Sequence, residues 1–334
     1  MPQVLSVEGL SVRLAARPDT SSILDDVTFS VEPGEVLGIV GESGSGKSMI
    51  ALSVMGLLPP AVRLSARRLS LVGDDLAGKP REAWRPHRGR DVAVIFQEPM
   101  TSLNPVMRVG RQIAEVLRWR RGMTGARARQ RTLELLEQVE IPSPRNRLHA
   151  YPHELSGGMR QRVMIAIALA AEPKLLISDE PTTALDVTVQ AQVLDLLRSL
   201  QRQTGMAMIL ITHDLGVIAE ITDRVLVLYA GRVAEVAPVR TIFDRPAHPY
   251  TEALLASMPE ITGRSHRLVT IPGSVPEATN MPPGCRFAPR CQYRRDACTS
   301  VVPAVRPIGD LHEVGCIRPF GYAQGASAAA DAAA

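Results

Sequence analysis

The chain is predicted to be an α/β protein: a mainly parallel core sheet, an inserted helical subdomain, and a small irregular Cys-containing C-terminal extension. Three observations lead there. Short apolar runs alternate with stretches of helical periodicity, the pattern of strands covered by helices. Between about 100 and 165 the strands stop while helical spacing continues. From about 237 onward prolines multiply, periodicity fades, and all four cysteines gather.

The elements follow in order. Residues 35–40 (EVLGIV) read as a buried strand and 47–57 as the helix after it. Residues 92–96 form another short apolar strand. Apolar residues recur at helical spacing over 108–121 and 126–139, and again over 158–171, which Pro173 closes. A strand at 174–178, a helix at 187–203, a strand at 207–212, a helix at 215–221 and a strand at 224–229 complete the alternation. Ala230 and Gly231 then turn the chain into 232–236. A boundary near 236 separates one large domain, 1–236, from the extension, 237–320. The small, Ala-rich end, 321–334, is expected to be a disordered tail.

Composition narrows the function classes. With 334 residues, 45% apolar and 22% charged, the chain reads as an ordinary soluble protein with room for a large core. No apolar run approaches the roughly 20 residues that span a bilayer. Residues 1–10 show no basic region followed by an apolar stretch, so no signal peptide is expected. A cytosolic or peripheral protein follows. Aromatics at 4% argue against a base-stacking nucleic-acid surface. The basic runs at 81–90 and 118–131 read first as solvated faces, with an anionic partner or membrane surface as the lesser reading.

The chemistry lies in a few short motifs. Gly41, Glu42, Ser43, Gly44, Ser45, Gly46, Lys47 and Ser48 fit G-x-x-x-x-G-K-[ST], with Met49 next in the helix. The run follows a predicted strand and opens a predicted helix, the context a phosphate-binding loop requires. Its backbone N–H groups turn toward phosphate oxygens and the helix N-terminus adds positive potential. Lys47 is placed to reach the β- and γ-phosphates, and the Ser48 hydroxyl to ligate Mg²⁺. Downstream, the strand at 174–178 ends in Asp179 and Glu180. Asp179 is placed to hold Mg²⁺ through water and Glu180 to polarise an attacking water as general base.

Two further residues end strands on the same side of the expected sheet, where open α/β sheets bind their ligands. Gln97 follows the strand at 92–96, and its amide can reach both Mg²⁺ and the water. His213 follows the strand at 207–212 and can hydrogen-bond a γ-phosphate, or be an ordinary structural histidine. The pentapeptide Leu155-Ser156-Gly157-Gly158-Met159 opens the helix over 158–171. Ser156 can simply cap that helix. Alternatively, its hydroxyl and the N–H groups of Gly157 and Gly158 form a second phosphate-binding surface.

Together, Gly41 to Ser48, Gln97, Leu155 to Met159, Asp179-Glu180, Ala184-Leu185-Asp186 and His213 resemble, in order, the P-loop, Q-loop, signature, Walker B, D-loop and switch histidine of the ATP-binding cassette ATPases. The resemblance covers about residues 4 to 236. It implies that two cassettes sandwich two ATP molecules head to tail, each between one chain's Lys47 loop and the other's Ser156 signature. It departs in one place: 18–24 lacks the aromatic that often stacks on adenine, which implies an aliphatic contact there.

Met159 in the signature, the run Gln97 to Pro105 and the stretch His248-Pro249-Tyr250-Thr251 resemble the ATPase subunits of dipeptide/oligopeptide importers, a group that also handles nickel and related solutes. This implies ATP and Mg²⁺ as cofactors. It also implies a second ATPase subunit, more often a different homologous chain, two transmembrane permease subunits and an extracytoplasmic substrate-binding protein. The place implied is the cytoplasmic face of the inner membrane, peripherally.

Cys285, Cys291, Cys298 and Cys316 are spaced x5, x6 and x17. A reducing cytosol disfavours disulfides, so a metal role comes first. Zinc ribbons usually use Cys-x2-Cys knuckles, absent here. Looser spacing suits an iron–sulfur cluster, with Arg286, Arg290, Arg294 and Arg295 to balance its charge. Some members of the resembling subfamily hold a 4Fe-4S cluster in this extension. Zinc, or thiols without metal, stay open. The rivals for function are an importer ATPase for nickel or another small solute, a non-transport cassette ATPase of DNA repair or translation, and a metal-binding regulator in which ATP is secondary. Repair types carry long coiled coils and translation types usually two cassettes in one chain, and neither feature is present.

Overall fold

The computed structural model describes residues 3–17, 21–97, 102–182, 186–258 and 270–321. Thr183, Ala184 and Leu185, the segment 98–101 after Gln97, residues 18–20 and all but the first residue of the expected tail lie outside them.

The strands are β1 (Leu5–Leu14), β2 (Ser22–Val31), β3 (Val36–Val40), β4 (Val62–Ser65), β5 (Arg68–Leu71), β6 (Asp74–Asp75), β7 (Val92–Ile95), β8 (Leu175–Asp179), β9 (Ala207–Ile211), β10 (Arg224–Tyr229), β11 (Arg232–Pro238), β12 (Arg306–Gly309) and β13 (His312–Val314). They form two sheets. The larger runs β12-β13-β11-β10-β3-β9-β8-β7. From β10 to β7 its pairings are parallel, and β11, β13 and β12 extend the other edge antiparallel. The smaller sheet, β2-β1-β5-β6 with β4 paired to β1, is antiparallel.

The central strands are apolar throughout because both faces are covered. Val36 and Val40 of β3 join one hydrophobic core, while Leu37 and Ile39 join the other. Likewise Met208 and Leu210 of β9 face the first, and Ala207, Ile209 and Ile211 the second. This is the period-two alternation of a pleated strand. The first core also takes in the helices Val109–Arg121 and Gly157–Leu169, through Ile113, Leu117, Val163 and Ile165. The second packs the helix Lys47–Val54 and the antiparallel sheet against the central one, through Ile50, Val54, Leu5 and Leu24.

Two features differ from the sequence reading. The antiparallel sheet has no counterpart in the sequence pattern, whose first legible strand begins at residue 35. The parity of apolar positions breaks in β1, where the register with β2 shifts between Val7 and Leu10 around Gly9. Nor does the chain divide at 236. That residue lies inside β11, whose outer neighbour β13 comes from the extension: Glu235 pairs with Val314 and Val236 with Glu313. Tyr250 and Phe287, both in the extension, belong to the first core. Buried Glu235 fastens the join, accepting hydrogen bonds from Ala247 N and His248 N and pairing with His312 Nε2 at 2.8 Å. The extension therefore shares the core sheet instead of hanging from it.

Candidate active site

The phosphate loop joins the C-terminal end of β3 to the helix Lys47–Val54, whose N-cap is Gly46. Gly41 begins it at φ 155°, and a Cβ there would meet the Leu228 carbonyl oxygen at 2.1 Å. Only glycine lets the loop leave the sheet so close to β10. Ser45 O accepts from Gly231 N at 2.8 Å, fixing the loop from the β10–β11 turn.

Lys47 is 6% exposed and its Nζ donates to the carbonyls of Gly41 and Glu42 at 2.7 and 3.1 Å. Burial lowers its pKa, and the nearby carboxylates of Glu180, Asp179 and Glu42 oppose that shift. Asp179, at the end of β8, is buried, and its pKa is raised by burial first, against a hydrogen bond from Ser48. Ser48 and Asp179 are thus in contact, the arrangement expected of two Mg²⁺-directed groups. Ser45 Oγ and Asp179 Oδ1 are buried without a hydrogen-bond partner among the described residues. Polar atoms so placed are spare coordination capacity beside the loop.

Glu180, at φ 47°, turns its carboxylate over this loop. Gln97 Nε2 donates to its Oε2 at 3.0 Å, and His213 Nδ1 lies 3.4 Å from its Oε1. Gln97, Glu180 and His213 thus meet although they leave three different strands. With Ile23, Ser43, Gly44, Gly46, Lys47, Ser48 and Met49 they line one cavity of about 690 Å³. Ile23, an aliphatic side chain, stands in its wall.

The signature residues do not line that cavity. Ser156 is the N-cap of the helix Gly157–Leu169, and its Oγ accepts from Met159 N at 3.3 Å. Gly158 packs against the start of the helix Val187–Thr204, where a Cβ would come 2.7 Å from Val189 Cγ1. Asp186 caps that second helix through Val189 N at 2.9 Å. Signature and Asp186 thus form one exposed corner, apart from the phosphate loop.

All four cysteines are free and line a second cavity of about 740 Å³. Burial raises the thiol pKa values of Cys285, Cys291 and Cys316, the last to about 11. Among the described residues no three His, Cys, Asp or Glu side chains converge as ligands of a single metal ion. The expected arginine set is corrected by half. Arg294 and Arg295 line the cavity, but Arg286 and Arg290 turn away. Arg286 binds the Ala230 carbonyl and Asp25, at 2.8 Å from Asp25 Oδ2. Arg290 grips Glu42 in the phosphate loop. Glu42, Tyr250 and Arg290 had no local signal as site residues, since 208 and 248 positions separate Glu42 from its partners.

Comparison with known proteins places the chain in a family. Residues 24–183 match the ABC transporter family, and residues 234–298 match the oligopeptide/dipeptide transporter C-terminal region. A Brucella ovis protein, provisionally named a peptide import ATP-binding protein, is 49% identical over 94% of this chain and 97% of its own length. A Brucella abortus protein of the same provisional name is 48% identical over 92% of each chain. Among solved structures, the cassette MJ0796 in a dimeric post-hydrolysis state bound to ADP and Pi aligns with TM-score 0.61 at 25% identity, covering 71% of this chain and 99% of that one. The protein cbiO1 from Clostridium perfringens, part of the ABC transporter complex cbiONQ, aligns with TM-score 0.62 at 26% identity, covering 73% and 92%. The chain belongs to the ABC transporter family. Within that family it is an ATP-binding, ATP-hydrolysing subunit. No helix among the described residues is long and apolar enough to cross a membrane.

Proposed function

We propose that this ATPase energises the import of dipeptides or oligopeptides through membrane permease subunits. The observation that carries the reading is the match of 234–298 to the oligopeptide/dipeptide transporter C-terminal region, in a segment built into the core sheet. The relatives provisionally named for peptide import support it. Nickel or another small solute is the alternative cargo. The chain would sit peripherally on the cytoplasmic face of the inner membrane. It would meet two permease subunits, a second cassette and, through the permeases, an extracytoplasmic substrate-binding protein. Cassette 1–236 and extension 237–320 remain useful functional names, although they share one sheet.

In this reading Ser43, Gly44, Ser45, Gly46 and Met49 shape the cradle for ATP, and Lys47 neutralises its β- and γ-phosphates. Ser48 and Asp179 would hold Mg²⁺, aided by Gln97; Asp179 Oδ1 and Ser45 Oγ, buried without a partner among the described residues, fit such a site. When bound, Mg²⁺ would supply charge withdrawal from the phosphoryl oxygens. Glu180 holds the water and takes its proton, while Gln97 and His213 fix that carboxylate from either side. Ser156, Gly157, Gly158 and Asp186 serve a partner's nucleotide: they stand clear of this chain's own cavity, as a head-to-tail dimer requires.

For the cysteines we propose a 4Fe-4S cluster. All four cysteines line one roomy cavity, and their loose sequence spacing, without Cys-x2-Cys knuckles, suits a cluster better than one zinc ion. Its role would be to staple the extension.

The test of the transport reading is reconstitution. Co-expressed with the permease and second-cassette subunits of a peptide importer, the chain should co-purify with them and show ATPase activity stimulated by peptide-loaded binding protein. Recovery with ribosomes or nucleic acid, and no permease, would overturn it.

A further inference from the structure

The strongest connection between extension and nucleotide site runs through one residue, Glu42, the first variable position of the phosphate loop. Its backbone N–H donates to Tyr250 Oη at 2.9 Å. Its carbonyl accepts from Lys47 Nζ at 3.1 Å. Its carboxylate takes two bonds from Arg290, Nη1 to Oε2 at 2.6 Å and Nη2 to Oε1 at 2.9 Å. This fork-to-fork pair fixes distance and orientation together.

Arg290 is itself over-determined. Nε donates to Pro272 O at 2.8 Å, Nη1 also to Tyr229 Oη at 3.3 Å, and Nη2 also to Ile271 O at 3.1 Å. Five bonds use the five N–H donors of a guanidinium. The side chain is 5% exposed and lies over the Tyr229 ring, 5.8 Å from its centroid. Tyr250 is fully buried beside Tyr229 and Phe287. A buried, fully bonded guanidinium and a buried hydroxyl therefore hold the same loop residue.

We propose that Arg290 and Tyr250 are positioning residues for the phosphate loop: from the extension they fix Glu42, and through it the Gly41 and Glu42 carbonyls that aim Lys47. Arg290 also keeps the Glu42 carboxylate paired and directed away from the incoming phosphates. Neither residue lines the nucleotide cavity, so the effect passes through the loop. The inference rests on the ATP-site reading above.

The test is equilibrium titration of the full chain with a fluorescent ATP analogue and Mg²⁺, beside urea unfolding without nucleotide. Arg290→Met should weaken binding roughly tenfold, the worth of a charge-assisted pair. Arg290→Lys should recover part of that loss, because it restores charge without the fork. The Arg290→Met/Glu42→Gln double variant should bind no worse than Arg290→Met alone, since both act on one contact. Tyr250→Phe, which deletes only the hydroxyl, should weaken binding in the same direction and serves if Arg290→Met fails to fold. Wild-type affinity in folded Arg290→Met or Tyr250→Phe, or additive losses in the double variant, would overturn the proposal. Lys47→Ala separates the two readings. If it leaves binding unchanged, the ATP site is wrongly placed. If it abolishes binding while the Arg290 and Tyr250 variants bind normally, only the clamp is wrong.

Discussion

Glu180→Gln isolates chemistry from binding. In the wild type, one carboxylate oxygen accepts from Gln97 Nε2 at 3.0 Å, and the other lies 3.4 Å from His213 Nδ1. A glutamine fills the same space. Its amide oxygen can still face Gln97, so the local packing survives. What disappears is the base. A positioned general base contributes about 10² to 10⁴ in rate, equivalent to about 2.7 to 5.5 kcal/mol of activation free energy. Binding should respond in the opposite sense. The Glu180 charge faces the same cavity as Lys47 and opposes the fall that burial imposes on that lysine's pKa, so removing it takes a negative charge from the triphosphate's surroundings. Nucleotide affinity should hold or tighten. The assay is phosphate release by the assembled transporter, paired with nucleotide titration of the same preparation. Turnover within about tenfold of wild type would refute Glu180 as the base. Loss of nucleotide binding would show instead that the carboxylate holds the loop.

Three further outcomes follow from the geometry. Gly41→Ala places a methyl 2.1 Å from the Leu228 carbonyl oxygen and should destabilise the chain by about 3 kcal/mol, read as a lower urea midpoint; an unchanged midpoint would mean the loop can shift freely. His248 is buried, accepts from Tyr250 N at 2.9 Å, and has its pKa pushed down to about 4 by burial. The fold thus binds fewer protons than the unfolded chain: the contribution is complete above about pH 6.5 and fades as pH falls toward 4, by about 3 kcal/mol. His248→Asn, which can still cap the helix Pro249–Ala256, should lack that part of the pH slope in urea titrations; identical slopes would deny it. Protein purified without oxygen should be brown and contain iron, whereas colourless, iron-free protein with intact thiols would sink the cluster.

The legible parts of this molecule share a physical basis. The loop from Gly41 to Ser48, the strand ending in Asp179 and Glu180, and the helix capped by Ser156 each carry their signal within a few residues of sequence, even where distant partners such as Gly231, Tyr250 and Arg290 then hold the loop in place. Apolar runs, caps and glycines record that directly. Reading failed where the signal was spread out. In β1 a register shift at Gly9 hid the alternation. In β12 and β13 the strands are only 4 and 3 residues long, and Pro307 interrupts the first. Arg286 and Arg290, beside cysteines in sequence, looked like partners for a cluster. Their side chains instead found Asp25 and Glu42, because buried guanidiniums need carboxylates and carbonyls that tertiary packing alone supplies.

By itself, the sequence determined the class of chemistry: a phosphate cradle, a carboxylate pair, and a Ser-Gly-Gly helix opening between them. Those groups announce themselves through residue types at short, fixed spacing. Only the tertiary structure decided that Gln97, Glu180 and His213 meet over one loop, that Ser156 stands apart from it, and that an extension begun nearly 200 residues later reaches back to hold Glu42. Such contacts depend on which strands become neighbours in the sheet. That order is settled by burying two apolar faces at once, a property of the whole chain and of no segment in it.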